Sequence, residues 1–268
     1  MLHHMTRLLA VMTALRDPEW GCPWDRRQTM QSLVPHTLEE AYEVADAVEH
    51  GGTDEIREEL GDLLFQVVFY SEIAREAGWF DFEGVAASIA DKLERRHPHV
   101  FPAADGRAAQ EPDSDWERRK CEERRKKALY AGGAAPGALT GVADALPSLT
   151  RAVKLQKRAA RVGFDWDDVE QVIDKVLEEL DEVRKEIAAG DEARLRHEVG
   201  DLLLATSNLA RHLDVDPEQA LRLANRRFER RFAAMERMLE ARGEVLEEAA
   251  AEQLEALWLL AKKEEGSS

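Results

Sequence analysis

The sequence predicts an all-α protein made of two tandem copies of one helical, four-helix-type module. Three observations predict it. Almost every patterned segment repeats its apolar residues at helical spacing. Ala, Leu, Glu and Arg dominate, and no segment alternates apolar and polar positions with β-branched enrichment. A block of the first half also returns in the second half at one constant offset. The length of 268 residues suits about two domains at roughly 150 residues each.

The elements follow in chain order. Leu8, Leu9, Val11, Met12 and Leu15 mark a helix over 5–16, which "DPEWGCPWD" ends. Helices over 37–49 and 54–77 are parted by "HGGTD", and one over 83–96 stops at "HPHVFPAADG". A helix over 114–130 carries charges of both signs and reads as a solvated connector. It lies between "PAADGRAAQEPDSD" (102–115) and "AGGAAPGALTG" (131–141), whose small and breaking residues read as linkers. Helices over 147–161, 168–188, 191–213, 217–242 and 248–263 complete the second half, with "AAGD" and "DVDPE" among their breaks. The predicted organisation is an N-terminal module at 1–101, a linker with the connector helix at 102–145, and a C-terminal module at 146–268. Trp20, Trp24, Trp79 and Trp166 sit by turns and are expected to wedge module ends against the core.

Composition removes several function classes. Lys plus Arg number 37 against 54 Asp plus Glu, for a formal net charge of −17. A surface this acidic opposes a general nucleic-acid binder, which needs clustered cations to neutralise phosphates. No stretch approaches the roughly 18 apolar residues of a membrane span. The first residues lack the basic start, apolar run and cleavage site of a secretory signal, so a cytoplasmic protein is expected. Cys22 and Cys121 are too few for a disulfide framework or a zinc site alone and read as ordinary thiols.

The repeat carries the chemistry. "EEAYEV…REELGDLLF" at 39–65 returns as "EELDEV…RHEVGDLLL" at 178–204. An offset of 139 residues takes Glu40, Glu43, Glu59 and Asp62 onto Glu179, Glu182, Glu198 and Asp201. After one gap the match continues, with Lys92 meeting Arg227 and Arg96 meeting Arg231. Each copy therefore reads E-x-x-E, fifteen residues, E-x-x-D. Residues three apart share a helix face, so an antiparallel hairpin would turn the two pairs toward each other. A single pair of this kind is a solvated helix face, as Glu55 with Glu58 and Glu252 with Glu255 illustrate. Two features set these eight acids apart: the repetition at identical spacing, and the "LLFQVVFY" and "LLLATSNLA" that follow the aspartates. Those stretches are apolar nearly all round and predict buried helices, on which Glu59, Asp62 and Gln66, and Glu198, Asp201 and Asn208, form polar stripes.

Buried carboxylates that converge repel one another unless a cation joins them. No Lys or Arg lies on the two stripes themselves, so a divalent ion is the expected partner. All-oxygen ligation suits Mg²⁺, with Mn²⁺ as a substitute, and Mg²⁺ so held takes phosphate oxygens as its remaining ligands. That implies a phosphorylated substrate and hydrolytic phosphoryl chemistry. Calcium is disfavoured because no D-x-D-x-D-G loop is present. A di-iron bundle needs Glu-x-x-His twice; Glu94 and His97 supply it once, and the repeat has Glu229 with Phe232. For the cationic side, Lys175 stands one turn before Glu179, Arg227 and Arg231 are four apart, and so are Trp258 and Lys262. An indole with an ammonium can stack a base and contact phosphate. In the first half, Trp116 with Lys120 has the same spacing.

These residues carry a resemblance. "RLLAVMTALRDPEWGCPWDRRQT", "TLEEAYEV", "ELGDLLFQVVFY", "DKLERRHPHVF", "KLQKRAARVGFDW", "EELDEV", "EVGDLLLATSNLARHL" and "RRFERRF" together resemble the MazG nucleoside triphosphate pyrophosphohydrolases over about 1–262. The resemblance implies tandem all-α modules assembled as a homodimer. It implies Mg²⁺-dependent hydrolysis of nucleoside triphosphates, with broad base tolerance, to monophosphate and pyrophosphate, as nucleotide-pool housekeeping. It makes the C-terminal module the main catalytic one. Glu179, Glu182, Glu198 and Asp201 become its metal ligands and catalytic acids, with Glu40, Glu43, Glu59 and Asp62 a second metal set. Lys175, Arg227, Arg231, Trp258 and Lys262 become nucleotide contacts. Arg227 stands where the family often has Lys, and His197 where an acidic residue is common. The alternative class is a non-catalytic regulatory protein, in which the acids sense metal and the connector at 116–130 docks a partner.

Overall fold

In a computed structural model of the chain, residues 2–98, 100–101 and 137–265 are described. The structure is α-helical, and no strand occurs among the described residues. The chain divides into two compact units, residues 1–126 and 127–268. The predicted connector helix, with Trp116, Lys120 and Cys121, lies outside the described residues.

The first unit holds α1 (Leu2–Leu15), the short α2 (Pro23–Arg27), α3 (Val34–His50), α4 (Thr53–Glu76) and α5 (Phe82–Arg96). α3 and α4 form its principal hairpin, and α1 and α5 pack on α4. Met12, Leu33, Val68 and Phe69 are fully buried where α1 meets α4, with Leu8, Leu9, Phe65 and Ile73 around them. Arg16 clamps this end. Its guanidinium pairs with Glu76 at 2.7 Å, donates to the Asp25 and Gln28 carbonyls, and lies 5.5 Å above the Phe69 ring. It thereby satisfies the C-terminal carbonyls of α2, a helix that the sequence reading missed because five residues show no periodicity.

The second unit holds α6 (Ser148–Ala160), α7 (Val169–Ala189), α8 (Glu192–His212), α9 (Pro217–Glu240) and α10 (Ala251–Glu265), with a 3₁₀ turn at Leu246–Glu248. α7 and α8 pair most extensively, α6 packs on α8, and α10 packs on α9. Met235, Leu239, Leu257 and Ala261 form the buried seam of α9 with α10. Aspartates start the helices: Asp168, Asp191 and Asp216 each accept a hydrogen bond from a backbone N–H of the following turn. Observed helix limits lie within about three residues of those predicted, the scatter expected of frayed ends.

Two expectations fail. Trp20 and Trp79 at the turns are not wedges. Trp20 is 87% exposed, Trp79 is exposed, and Trp24 and Trp166 are more than one-third exposed. Only Trp24 is seen to use its ring inward, edge-on to Phe69 and His36. The helices after the two aspartates are also not buried all round. Leu60 and Val67 on α4, and Val199, Leu203 (54% exposed) and Leu204 on α8, are open to solvent. Only the faces of α4 and α8 that meet a packed neighbour are covered.

Candidate metal centre

Both acidic sets depend on a helical hairpin whose turn has the same length in each unit but a different backbone conformation. Gly190 ends α7 with φ of +72°, a conformation that costs glycine little, and Asp191 caps α8 at once. In the first unit Gly51 and Gly52 make the turn. A Cβ on Gly51 would stand 2.5 Å from the Glu55 carboxylate and 2.8 Å from the Ala47 carbonyl oxygen. Glu182 lies eight residues before Gly190 and Glu198 seven after Asp191; Glu43 and Glu59 bear the same relation to Gly51 and Gly52. Glu179 and Asp201 are eleven before and ten after, as are Glu40 and Asp62. Since both strands of a hairpin rise at the same 1.5 Å per residue, each acid meets its partner at one level.

The side chains converge accordingly. Oxygens of Glu179, Glu182 and Glu198 lie within 4.8 Å of one another, and so do oxygens of Glu40, Glu59 and Asp62. A third group shares Glu198: the His197 imidazole, Glu198 and Asp201, within the same limit. His197 Nδ1 is 3.0 Å from Asp201 and 3.8 Å from Glu198. Glu43 is the outlying member of its set, exposed yet close enough to act on Glu40 and Glu59.

The electrostatics report crowding of like charge. Partial burial, then the nearby Asp62 and Glu43, push the Glu40 carboxyl above its ordinary range. Glu59 is pushed up by loss of solvent and by Glu43 and Asp62. Glu198 is pushed up by loss of solvent and by Glu182, with Asp201 adding to the repulsion and His197 opposing it. Glu179 is 6% exposed. One of its oxygens accepts from Lys175 Nζ at 2.8 Å, and the other, Oε2, is buried with no hydrogen-bond partner. A buried carboxylate oxygen without a donor is costly, and its neighbours in the nest are two more carboxylates. This donor set is all oxygen and anionic, and it fits a hard divalent cation.

A cation does stand at the nest, on the helix facing the stripe, where the spacing of Lys175 and Glu179 predicts it. The acids of α8 have no basic residue on their own helix stripe, but Lys175 on α7 reaches Glu179 by an i, i+4 contact and also Glu178 at 3.0 Å. The two carboxylates hold its ammonium well above the usual lysine range. The modules differ here. At the offset of 139, Lys175 corresponds to His36, whose partner is Glu39 at 3.7 Å. Glu40, the counterpart of Glu179, takes a hydrogen bond from Gln66 at 3.3 Å instead of a permanent charge. His197 likewise replaces Glu58. These differences were open to sequence reading, because the offset names every counterpart.

The expected nucleotide contacts sit on a different helix pair. Arg227 and Lys262 are exposed on α9 and α10. Arg231 lies 5.7 Å from the Trp258 ring and donates to Glu265 at 2.7 Å, and Arg230 binds the same carboxylate. Trp258 is half-buried, tilted on Phe228 at 5.3 Å, and joins the α9–α10 seam. Lys175 is in contact with the acids; Arg227, Arg231, Trp258 and Lys262 form their own group around the hairpin of α9 and α10. Glu265 was missed because its link to Arg230 and Arg231 spans about thirty-five residues with no local signal.

Comparison with known proteins agrees with the repeat. The MazG nucleotide pyrophosphohydrolase domain matches residues 28–101 and again 167–235. A nucleoside triphosphate pyrophosphohydrolase of Escherichia coli strain K12 is 50% identical over 266 residues, covering 98% of this chain and 99% of its own. The nucleoside triphosphate pyrophosphohydrolase/pyrophosphatase MazG of Thermotoga maritima is 44% identical over 255 residues, covering 95% and 94%. The uncharacterized protein YabN of Bacillus subtilis is 38% identical over 267 residues, 99% of this chain but 53% of its own length.

Proposed function

The chain belongs to the MazG nucleotide pyrophosphohydrolase family and is a nucleoside triphosphate pyrophosphohydrolase, and from that premise we propose that its C-terminal carboxylates hold Mg²⁺ and run the reaction. The observation that carries this reading is the buried, unpartnered Oε2 of Glu179 among Glu182 and Glu198. Glu179, Glu182, Glu198 and Asp201 would hold the ion, and Mn²⁺ would substitute for it. Bound there, a divalent ion lowers the pKa of water and neutralises charge gathering on phosphate oxygens.

The chain's own groups do the rest. The reaction breaks the bond between the α-phosphorus and the α,β-bridging oxygen, so water's oxygen goes to the monophosphate and pyrophosphate leaves. Lys175, which Glu178 also holds at 3.0 Å, stands at the nest to orient the triphosphate. Arg227, Arg231 and Lys262 supply further positive charge for the polyphosphate. Trp258 offers a ring for the base. Stacking uses a π-face that every base has, which supports broad base tolerance. The N-terminal acids Glu40, Glu43, Glu59 and Asp62 form a second metal set. The C-terminal set is the stronger catalyst, because Lys175 sets an ammonium against Glu179 where the first unit has His36 and, among the described residues, no such contact with Glu40 is seen.

The functional unit is a homodimer acting on the cytoplasmic nucleotide pool. Val199, Leu203 and Leu204, exposed on α8 between and after the metal acids, supply the apolar surface for a second copy. No described helix is long and apolar enough to cross a membrane.

Product analysis tests the proposal. With ATP, GTP, CTP, UTP and their deoxy forms, the wild type should release pyrophosphate and monophosphate in Mg²⁺ and nothing in chelator. Glu182→Gln or Glu198→Gln should lower the rate by at least about a hundredfold, and Glu59→Gln much less. Orthophosphate with nucleoside diphosphate would refute the cleavage position. Pyrophosphate release untouched by Glu198→Gln would refute the assignment of the centre.

A further inference from the structure

The C-terminal nest differs from its N-terminal counterpart by one potential ligand of a different chemical kind. His197 stands one turn before Asp201 on α8, its Nδ1 3.0 Å from the Asp201 carboxylate and 3.8 Å from Glu198. The three ligand atoms lie within 4.8 Å of one another. Glu198 also belongs to the neighbouring trio with Glu182 and Glu179, whose buried Oε2 lacks any partner. The imidazole group is thus joined through a shared carboxylate to the trio that contains the unpartnered, buried oxygen of Glu179. At the offset of 139 the first unit carries Glu58, which leaves that set all oxygen.

We propose that His197 is a nitrogen ligand of the C-terminal metal centre, completing with Glu198 and Asp201 a position that selects a first-row transition ion over Mg²⁺. The inference rests on the acidic nest being a metal centre and adds the identity of the ion it prefers. Mg²⁺ takes oxygen ligands and dehydrates reluctantly, whereas imidazole suits the transition metals. His197 is 74% exposed along its side chain, so the neighbouring elements leave its ring room to meet an ion. Its contact with Asp201 at 3.0 Å is exposed to solvent, of the kind that contributes little and can give way to a metal. The N-terminal set lacks the nitrogen and stays an Mg²⁺-type site, so the two modules differ in metal preference.

The test uses the full-length chain with Glu59→Gln, which disables the N-terminal set, loaded with one equivalent of Mn²⁺. Pulsed electron paramagnetic resonance should show ¹⁴N coupling to the bound ion, and His197→Gln should abolish it. Competition titrations should show the Mn²⁺ over Mg²⁺ preference falling about tenfold in His197→Gln, at least the cost of losing an outer-shell partner. His197 is a surface residue, so the variant keeps its fold. Bound Mn²⁺ without ¹⁴N coupling, or an unchanged preference, overturns the nitrogen ligand and leaves the hydrolase reading intact. Mn²⁺ binding that Glu179→Gln does not weaken overturns the metal centre as well.

Discussion

Lys175 and a divalent ion compete for one carboxylate, and Lys175→Met exposes that competition. The ammonium sits 2.8 Å from an oxygen of Glu179, which is almost fully buried. At an effective dielectric of about 20, two charges this close attract by about 6 kcal/mol. Lys175 is 34% exposed along its side chain, and water screens the pair, so a net worth of about 2 kcal/mol is reasonable. Methionine keeps the length of the side chain and removes the charge. The ion-free protein should therefore lose about 2 kcal/mol of stability, since a buried carboxylate is left alone. With the metal bound, the ion replaces the lysine and most of the loss is recovered. Linkage then requires Mg²⁺ to bind the variant about 30-fold more tightly, the same 2 kcal/mol read as an affinity. Titration calorimetry on full-length chains, both carrying Glu59→Gln, measures this directly. Catalysis should fall in the same variant, because the triphosphate loses a contact while the metal gains one. Mg²⁺ affinity that is unchanged or weaker in Lys175→Met would refute the competition and show that the ion takes the open Oε2 while Lys175 keeps its own oxygen.

Other outcomes follow from the same geometry. Glu40, Glu59 and Glu198 hold their carboxyl groups above the ordinary range when no ion is present. A raised carboxyl takes up its proton more readily in the folded state, so that contribution is present at low pH and lost as pH rises through the raised value. As pH falls toward the ordinary carboxylate range, these three groups should therefore add stability to the ion-free chain in urea titrations, and saturating Mg²⁺ should reverse their contribution. Asp165 behaves oppositely. Burial works to raise it, but hydrogen bonds from Arg211 and His212 outweigh this and hold it below the usual range, so its contribution fails only in more acidic solution. Asp165→Asn should cost the C-terminal unit about 2 kcal/mol, seen as faster hydrogen exchange in α8, because Arg211 and His212 are largely buried around it. Gly190→Ala should weaken the α7–α8 turn by about 1 kcal/mol, since φ is +72° there, and lower Mg²⁺ affinity with it.

Sequence alone determined the helices, the duplication and the levels at which the acids meet. All three depend on local rules: a repeat of 3.6 residues, a glycine turn, and equal counts on either side of it. Even the Lys175–Glu179 contact is local, four residues along one helix. Tertiary structure decided the rest. Trp20 and Trp79 have the residue type of core wedges, yet nothing packs over them. The apolar run after Asp201 reads as a buried helix, yet Leu203 and Leu204 face outward, because burial depends on which other elements arrive and no periodicity encodes that. Arg231 turns to Glu265, and the second oxygen of Glu179 is left without a donor, only once helices distant in sequence are brought together. Helical spacing sets the direction in which a side chain leaves its own backbone, while what it meets there is the product of packing.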